Sequence, residues 1–213
     1  AWSTAYESGT VSSVVAAAPM RPLIDNGVLP ELHKAELFAH FEAVFDPDVR
    51  ACEEIASNAY LRGAEILDLI EVAPQLAREH IERACDVFLG APNTSFIDSE
   101  GSLVIADVFT HVDDVELIAA MLSRTLLRDF LIVDALNHPR AAGSVLLTVA
   151  RNFSGQIRAN ALCLWAMVAV SLGLDGWGTA ALASAQEEVP GHNLSALLKS
   201  VMGIGQGHAL LEL

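Results

Sequence analysis

The segment ANALCLWAMVAVSLGLDGWGTAALASAQEEVPGH, residues 159–192, decides the fold class of this chain. Two apolar stretches flank the turn sequence Gly173-Leu-Asp-Gly176, which predicts two helices that pack as a hairpin. The spacing within this 34-residue unit is typical of a tetratricopeptide-like repeat, with Leu162, Trp165, Ala166, Ala169, Gly173, Gly178, Leu182, Ala185 and Pro190 at the characteristic places. The sequence contains one copy of the pattern, and solenoids need about three, so we predict a single hairpin rather than an array.

Outside this hairpin the apolar residues also recur at helical spacing, and no convincing set of strands is present. We predict an all-α, multi-helix bundle that ends in the hairpin. Residues 1–29 form an irregular N-terminal segment, and residues 30–213 form the helical domain, divided into helices over 30–136 and over 137–203 with the hairpin at 159–192. Asp46-Pro47 predicts a helix start, Gly63 a bend, and Asp113 with Glu116 a capping box. One helix is expected from about Thr125 to Leu136.

Composition limits the classes of partner. The chain has 213 residues and carries 27 acidic against 12 basic side chains, a net charge of −15, which disfavours nucleic acid and anionic membranes as partners. Its longest uncharged run, residues 159–174, is shorter than the roughly 20 residues of a membrane span and predicts a buried helix. Apolar residues make up 53% of the chain, which indicates either a large, mostly helical core or an apolar surface for a protein partner or self-association. Cys52, Cys85 and Cys163 have no CxxC spacing, which indicates free thiols and a cytoplasmic location.

Three segments carry a resemblance to a known family. Residues 34–51 are similar to a family segment with an acid-leucine element followed by an Asp-Pro and a Val-Arg element. Residues 127–131 (LRDFL) match an Arg-Asp step inside an apolar helix of the family, and residues 161–198 resemble its closing hairpin. Together they resemble the C-terminal part of an actinobacterial family described as domain of unknown function 4192. The α/β portion that precedes this part in the family is absent, so we expect a truncated chain or a divergent short form. The hairpin departs from the family's Gly-Asp-Gly turn by the insertion of Leu174, and the resemblance implies no activity.

The Arg128-Asp129 pair is the first candidate site, since charged side chains inside an apolar helix are seldom buried unless they are paired. A structural ion pair that ties helices together explains it, and a ligand-binding site in which Arg128 holds an anion is the alternative. His33, Glu36 and His40 lie along one helix edge at a spacing that suits zinc or iron, with His111, Asp113 and Asp114, or Glu79 and His80, as further ligands, but a solvated helix edge is the favoured explanation. We therefore assign no metal, no cofactor and no catalytic residue; GxSxG, HExxH and a clear Cys-His arrangement are all missing.

Trp177 is the candidate for partner binding, because an exposed tryptophan between Gly176 and Gly178 would anchor a contact. Two functions follow. The first is a helical protein-interaction or assembly module of a larger cytoplasmic protein. The alternative is a small-ligand or metal-binding helical domain of an enzyme, for which a pocket of about 300 Å³ or more with converging polar groups near Arg128 would be the distinguishing observation.

Overall fold

The computed structural model describes residues 34–43, 49–92 and 105–203, and over these residues it contains helices and no strands, which confirms the all-α prediction. The irregular segment 1–29, the helix start at Asp46-Pro47 and residues 204–213 lie outside the described residues. The helices are α1 (Lys34–Ala39), α2 (Val49–Val72), α3 (Pro74–Gly90), α4 (Ile105–Val108), α5 (Val112–Ser123), α6 (Thr125–Phe130), α7 (Ile132–Asn137), α8 (Pro139–Asn152), α9 (Gly155–Ser171), α10 (Asp175–Glu188) and α11 (Asn193–Gly203).

Helix α9 lies at the centre of the core. All residues from Ile157 to Val170 are buried, and α8, α10 and α5 pack around them. A helix that is apolar on every side requires such a position, because no face can be left in water. Among the described residues, no helix has the length and apolar character needed to cross a membrane.

The predicted hairpin consists of α9 and α10. Gly173 turns the chain with φ of 76°, a conformation that side-chain-bearing residues rarely adopt. A Cβ atom on Gly178 would lie 3.2 Å from the Ala166 carbonyl oxygen, so this glycine allows the two helices to approach closely. Trp165 is fully buried in the core, as its place in the pattern suggests. The likeness of the hairpin to a tetratricopeptide repeat stays a prediction.

Local expectations in the N-terminal half need correction. Helix α2 runs unbroken through Gly63, where a Cβ would lie 2.8 Å from the Ala120 carbonyl oxygen, so the glycine allows close packing against α5, and the expected bend stays a prediction. The predicted capping box is wrong: α5 begins at Val112 with His111 as N-cap and has no side-chain capping hydrogen bond. Instead, Asp113 pairs with Arg62 of α2 at 2.8 Å. The helix expected over 125–136 is divided into α6 and α7 at Leu131.

Two buried arginines fix the end of α1 against the core. Arg151 Nε donates to the His40 carbonyl oxygen at 3.0 Å, and Arg158 Nη2 donates to the Phe41 carbonyl oxygen at 2.6 Å. Carbonyl groups at a helix C-terminus have no partner within the helix, so these guanidinium groups satisfy them. Arg158 is also ion-paired with Glu188 of α10 at 3.0 Å.

Candidate functional site

A pocket of about 580 Å³ lies between α6, α9 and α11, within the range of small-molecule sites. Its walls include two arginines and no acidic residue, in a chain with more than twice as many acids as bases. The lining residues are Ser123, Arg124, Thr125, Arg128, Gln156, Val189, Gly191, His192, Asn193, Leu194 and Leu197. The predicted position near Arg128 and the predicted minimum volume are therefore both met.

The Arg128 guanidinium, 95% buried, forms part of the pocket wall. Its Nε and Nη2 donate to Asp129 Oδ1 at 2.9 and 2.6 Å, so the charge pair predicted from the sequence exists, although it joins chain neighbours rather than two helices. The connection between helices is made by Nη1, which donates to Asn160 Oδ1 of α9 at 2.8 Å. Asp129 itself does not line the pocket.

Asn160 is the buried centre of this hydrogen-bond network. Its side chain is fully buried, Nδ2 donates to the Leu122 carbonyl oxygen at 2.7 Å, and Oδ1 lies 3.0 Å from His192 Nε2 as well as accepting from Arg128. The sequence pattern did not indicate Asn160 as a site residue. The available signal was a single amide inside the uncharged run 159–174, since a polar side chain in a buried helix needs partners.

His192 connects the network to α11. Its Nδ1 accepts the Ser195 backbone N–H at 3.3 Å and so caps the helix, which leaves the proton on Nε2 for donation to Asn160. The same ring nitrogen lies 3.0 Å from Gln156 Nε2. Burial and the nearby Arg128 charge lower the pKa of His192, so the ring is neutral.

The network also contains a cysteine. Cys163 Sγ lies 3.5 Å from His192 Nδ1, and the order cysteine, histidine, asparagine resembles that of thiol hydrolases. However, the thiol is fully buried and absent from the pocket wall, and burial raises its pKa to about 12 against the smaller opposing effects of Arg128 and Ser195. A thiolate is the required nucleophile, so burial and the raised pKa disfavour a catalytic role for this thiol.

Arg124 is a second basic group of the pocket that the sequence analysis did not assign. Its Nη2 donates to the Tyr60 carbonyl oxygen at 3.2 Å. Its Nε is buried and has no hydrogen-bond partner among the described residues. An unsatisfied buried donor costs about 1 to 3 kcal/mol. The first turn of α11 adds backbone N–H groups that have no acceptor within the helix.

The histidine edge does not form a metal site in the described part of the chain. His40 is buried with its ring centroid 5.0 Å from that of Phe41, and burial together with Arg151 lowers its pKa to about 3. Asp113 and Asp114 pair with arginines. Over residues 34–43, 49–92 and 105–203 no group of three or more His, Cys, Asp or Glu side chains is arranged to hold an ion. His33 lies outside these ranges.

Trp177 is not on the surface. The side chain is 2% exposed, and its ring lies edge-on to His40 with centroids 4.9 Å apart. The expected exposure is wrong because the turn is made by residues 172–174, while Trp177 lies in the first turn of α10 and faces the end of α1. A role of Trp177 in partner binding stays a prediction.

A second cavity, of about 550 Å³, lies where α3 faces α6 and α7. Leu89 and Phe130 line it and remain 54% and 42% exposed. The complete lining is Ile70, Pro74, Ala77, Arg78, Ile81, Glu82, Cys85, Asp86, Leu89, Phe130 and Asp134, and we call this surface the α3 groove. It is more apolar than the Arg128 pocket and is bordered by three carboxylates.

Comparison with known proteins identifies one family. A sequence model described as "Domain of unknown function (DUF4192)" matches residues 2–207, nearly the whole chain. No curated protein and no solved structure matches the chain.

Proposed function

Because the chain belongs to the DUF4192 family, whose description names no activity, we propose a function from the geometry of one site. The chain binds a small organic anion in the pocket between α6, α9 and α11. This is the small-ligand alternative predicted from the sequence, without the metal.

The observation that carries this proposal is the arginine pair in a pocket wall without acids. Arg128 is held by Asn160, which is itself anchored to the Leu122 carbonyl group, so the guanidinium is positioned before any ligand arrives. A positioned donor loses little conformational entropy on binding. Arg124 contributes a second positive charge to the wall, and guanidinium groups match the geometry of carboxylate and phosphate oxygens.

The rest of the wall defines the other part of the ligand. Val189, Leu194 and Leu197 form an apolar side, while the neutral polar groups include the amides of Gln156 and Asn193. Such a wall fits a molecule with one anionic head and an apolar body, because apolar burial and charge pairing are then both satisfied.

Calorimetric titration with octanoate tests the proposal. We expect saturable binding at one site. Arg128→Gln and Arg124→Gln should each bind octanoate at least about tenfold more weakly, because a charge-assisted hydrogen bond is lost. The wild type should bind uncharged octanamide more weakly than octanoate. Arg83→Gln on α3 is the matched control, since it makes the same exchange at an arginine that does not line the pocket. Arg83 pairs instead with Asp113 at 2.6 Å. Circular dichroism checks that each variant is folded. Absence of binding, or equal affinity in Arg124→Gln and the wild type, would contradict the proposal.

The interaction module is a second candidate function, and the α3 groove favours it. Exposed Leu89 and Phe130 at a cavity of this size are typical of helix-in-groove recognition. The carboxylates of Glu82, Asp86 and Asp134 favour a basic amphipathic helix of a protein partner over a second copy of this acidic chain.

Fluorescence anisotropy with two synthetic helical peptides tests this candidate. A Leu/Lys amphipathic peptide should bind and lose affinity in the Leu89→Asp variant, while a Leu/Glu peptide of equal length should not bind. Equal binding of both peptides would refute the charge argument. For either function we propose a cytoplasmic location, which is supported by Cys52, Cys85 and Cys163 all being free thiols.

A further inference from the structure

The balance of charge around the Arg128 pocket indicates which anions it accepts. Arg128 is compensated by Asp129, whose Oδ1 receives two of its N–H groups, and Arg128 is the one hydrogen-bond partner of Asp129 among the described residues. Arg124 forms no ion pair with a described carboxylate. His192 is neutral because burial lowers its pKa, and Glu188 beside Val189 is paired with Arg158. The pocket therefore presents about one net positive charge.

One net charge favours a ligand of equal and opposite charge. Attraction grows in proportion to the charge of the ligand, whereas the cost of removing an ion from water grows with the square of its charge. A dianion therefore loses more hydration than a single positive charge returns. Resting on the proposed function, we propose that Asp129 makes this pocket selective for singly charged organic anions, such as carboxylates, sulfonates or phosphodiesters, over phosphate monoesters. Asp129 acts as a specificity-determining residue without touching the ligand.

The position of Asp129 makes the proposal testable. Its side chain is 47% exposed, and an asparagine amide oxygen in its place accepts the same N–H groups of Arg128. Asp129→Asn therefore removes one charge and preserves the hydrogen bonds. The lost repulsion is proportional to ligand charge, so the affinity gain for a dianion should be the square of the gain for a monoanion.

The experiment compares octanoate with octyl phosphate by calorimetric titration at pH 8 and constant ionic strength, where a phosphate monoester carries nearly two charges. The wild type should bind octanoate more tightly. Asp129→Asn should bind octanoate about tenfold and octyl phosphate about a hundredfold more tightly, which reverses or removes the preference. Asp68→Asn, an equal change of net charge at an exposed position of α2, should alter neither affinity beyond about twofold.

The outcomes separate this inference from the proposed function. Octanoate binding by the wild type that is weakened in Arg124→Gln would support the anion site. If Asp129→Asn then changes the affinities for octanoate and octyl phosphate by the same factor, or not at all, the selectivity inference is wrong while the anion site remains supported. If octyl phosphate is the tighter ligand of the wild type, the inference is also wrong. If no folded variant binds either anion, both proposals are wrong.

Discussion

Replacing Asn160 by leucine should destabilise the protein strongly. The two side chains are similar in size, so the change removes hydrogen bonds without opening a large cavity. Three bonds are lost: the one from Arg128 at 2.8 Å, the one from His192 at 3.0 Å and the one to the Leu122 carbonyl oxygen at 2.7 Å. All three are inaccessible to water because Asn160 is fully buried.

The magnitude follows from the kinds of bond. A hydrogen bond to a charged group contributes about 1.5 to 3 kcal/mol and a neutral one about 1 kcal/mol, so the loss is about 3.5 to 5 kcal/mol. For a chain of this size each kcal/mol shifts Tm by about 2 to 4 °C, which predicts a Tm lower by about 7 to 20 °C.

Urea unfolding followed by circular dichroism measures this difference. Asn58→Leu is the matched control, since Asn58 is exposed on α2 and the same exchange there should change the free energy of unfolding by less than about 0.5 kcal/mol. A loss below about 1 kcal/mol for Asn160→Leu, with an unchanged slope against urea, would refute the reasoning that this amide satisfies the buried groups around it.

Three further predictions concern other parts of the core. Gly63→Ala should lower the free energy of unfolding by about 1 to 3 kcal/mol, because its Cβ would lie 2.8 Å from the Ala120 carbonyl oxygen. Gly176→Ala should not lower it, because no atom lies within 4 Å of the added Cβ. If chemical denaturation gives the same change in the free energy of unfolding for both variants, the packing argument is wrong. Burial lowers the pKa of His40 to about 3, so as the pH falls the unfolded chain is protonated at this histidine before the folded chain is. The free energy of unfolding should therefore decrease by up to about 1.4 kcal/mol per pH unit from pH 6.5 down to about pH 3. The urea midpoint of His40→Leu should decline less steeply with falling pH than that of the wild type, and equal slopes would mean that His40 is not buried as a neutral ring. Burial raises the pKa of Cys163 to about 12, so this thiol should resist iodoacetamide at pH 8 in the folded chain and react once the chain is unfolded. Half-buried Cys52 should be alkylated faster in the folded chain. If peptide mass spectrometry shows equal alkylation rates for the two cysteines, Cys163 is reactive enough to be a nucleophile.

The fold class was predictable because it depends on local pattern. The uncharged run 159–174 has no polar face, so burial at the centre of an all-α core is the stable solution, and α9 takes that place. The Arg128-Asp129 pair was predictable for a related reason, since a charge in an apolar helix requires a partner and its neighbour supplies one.

Distances between residues far apart in sequence depended on the tertiary structure. Asn160 lies 32 positions after Arg128 and 32 positions before His192, and no periodicity shows that their side chains meet. The glycines on either side of Trp177 suggested an exposed turn. The end of α1 covers this side chain, and Arg151 and Arg158 hold that end in place.

The sequence by itself therefore determined that this chain is helical, where its central helix lies and which family it belongs to, because period, composition and motif spacing are properties of short segments. The tertiary structure decided where the pocket lies, that two arginines face it without an acid, and that the thiol beside His192 is too deeply buried to react. These properties depend on which helices pack together, and packing assigns each polar group its partner and its exposure to water.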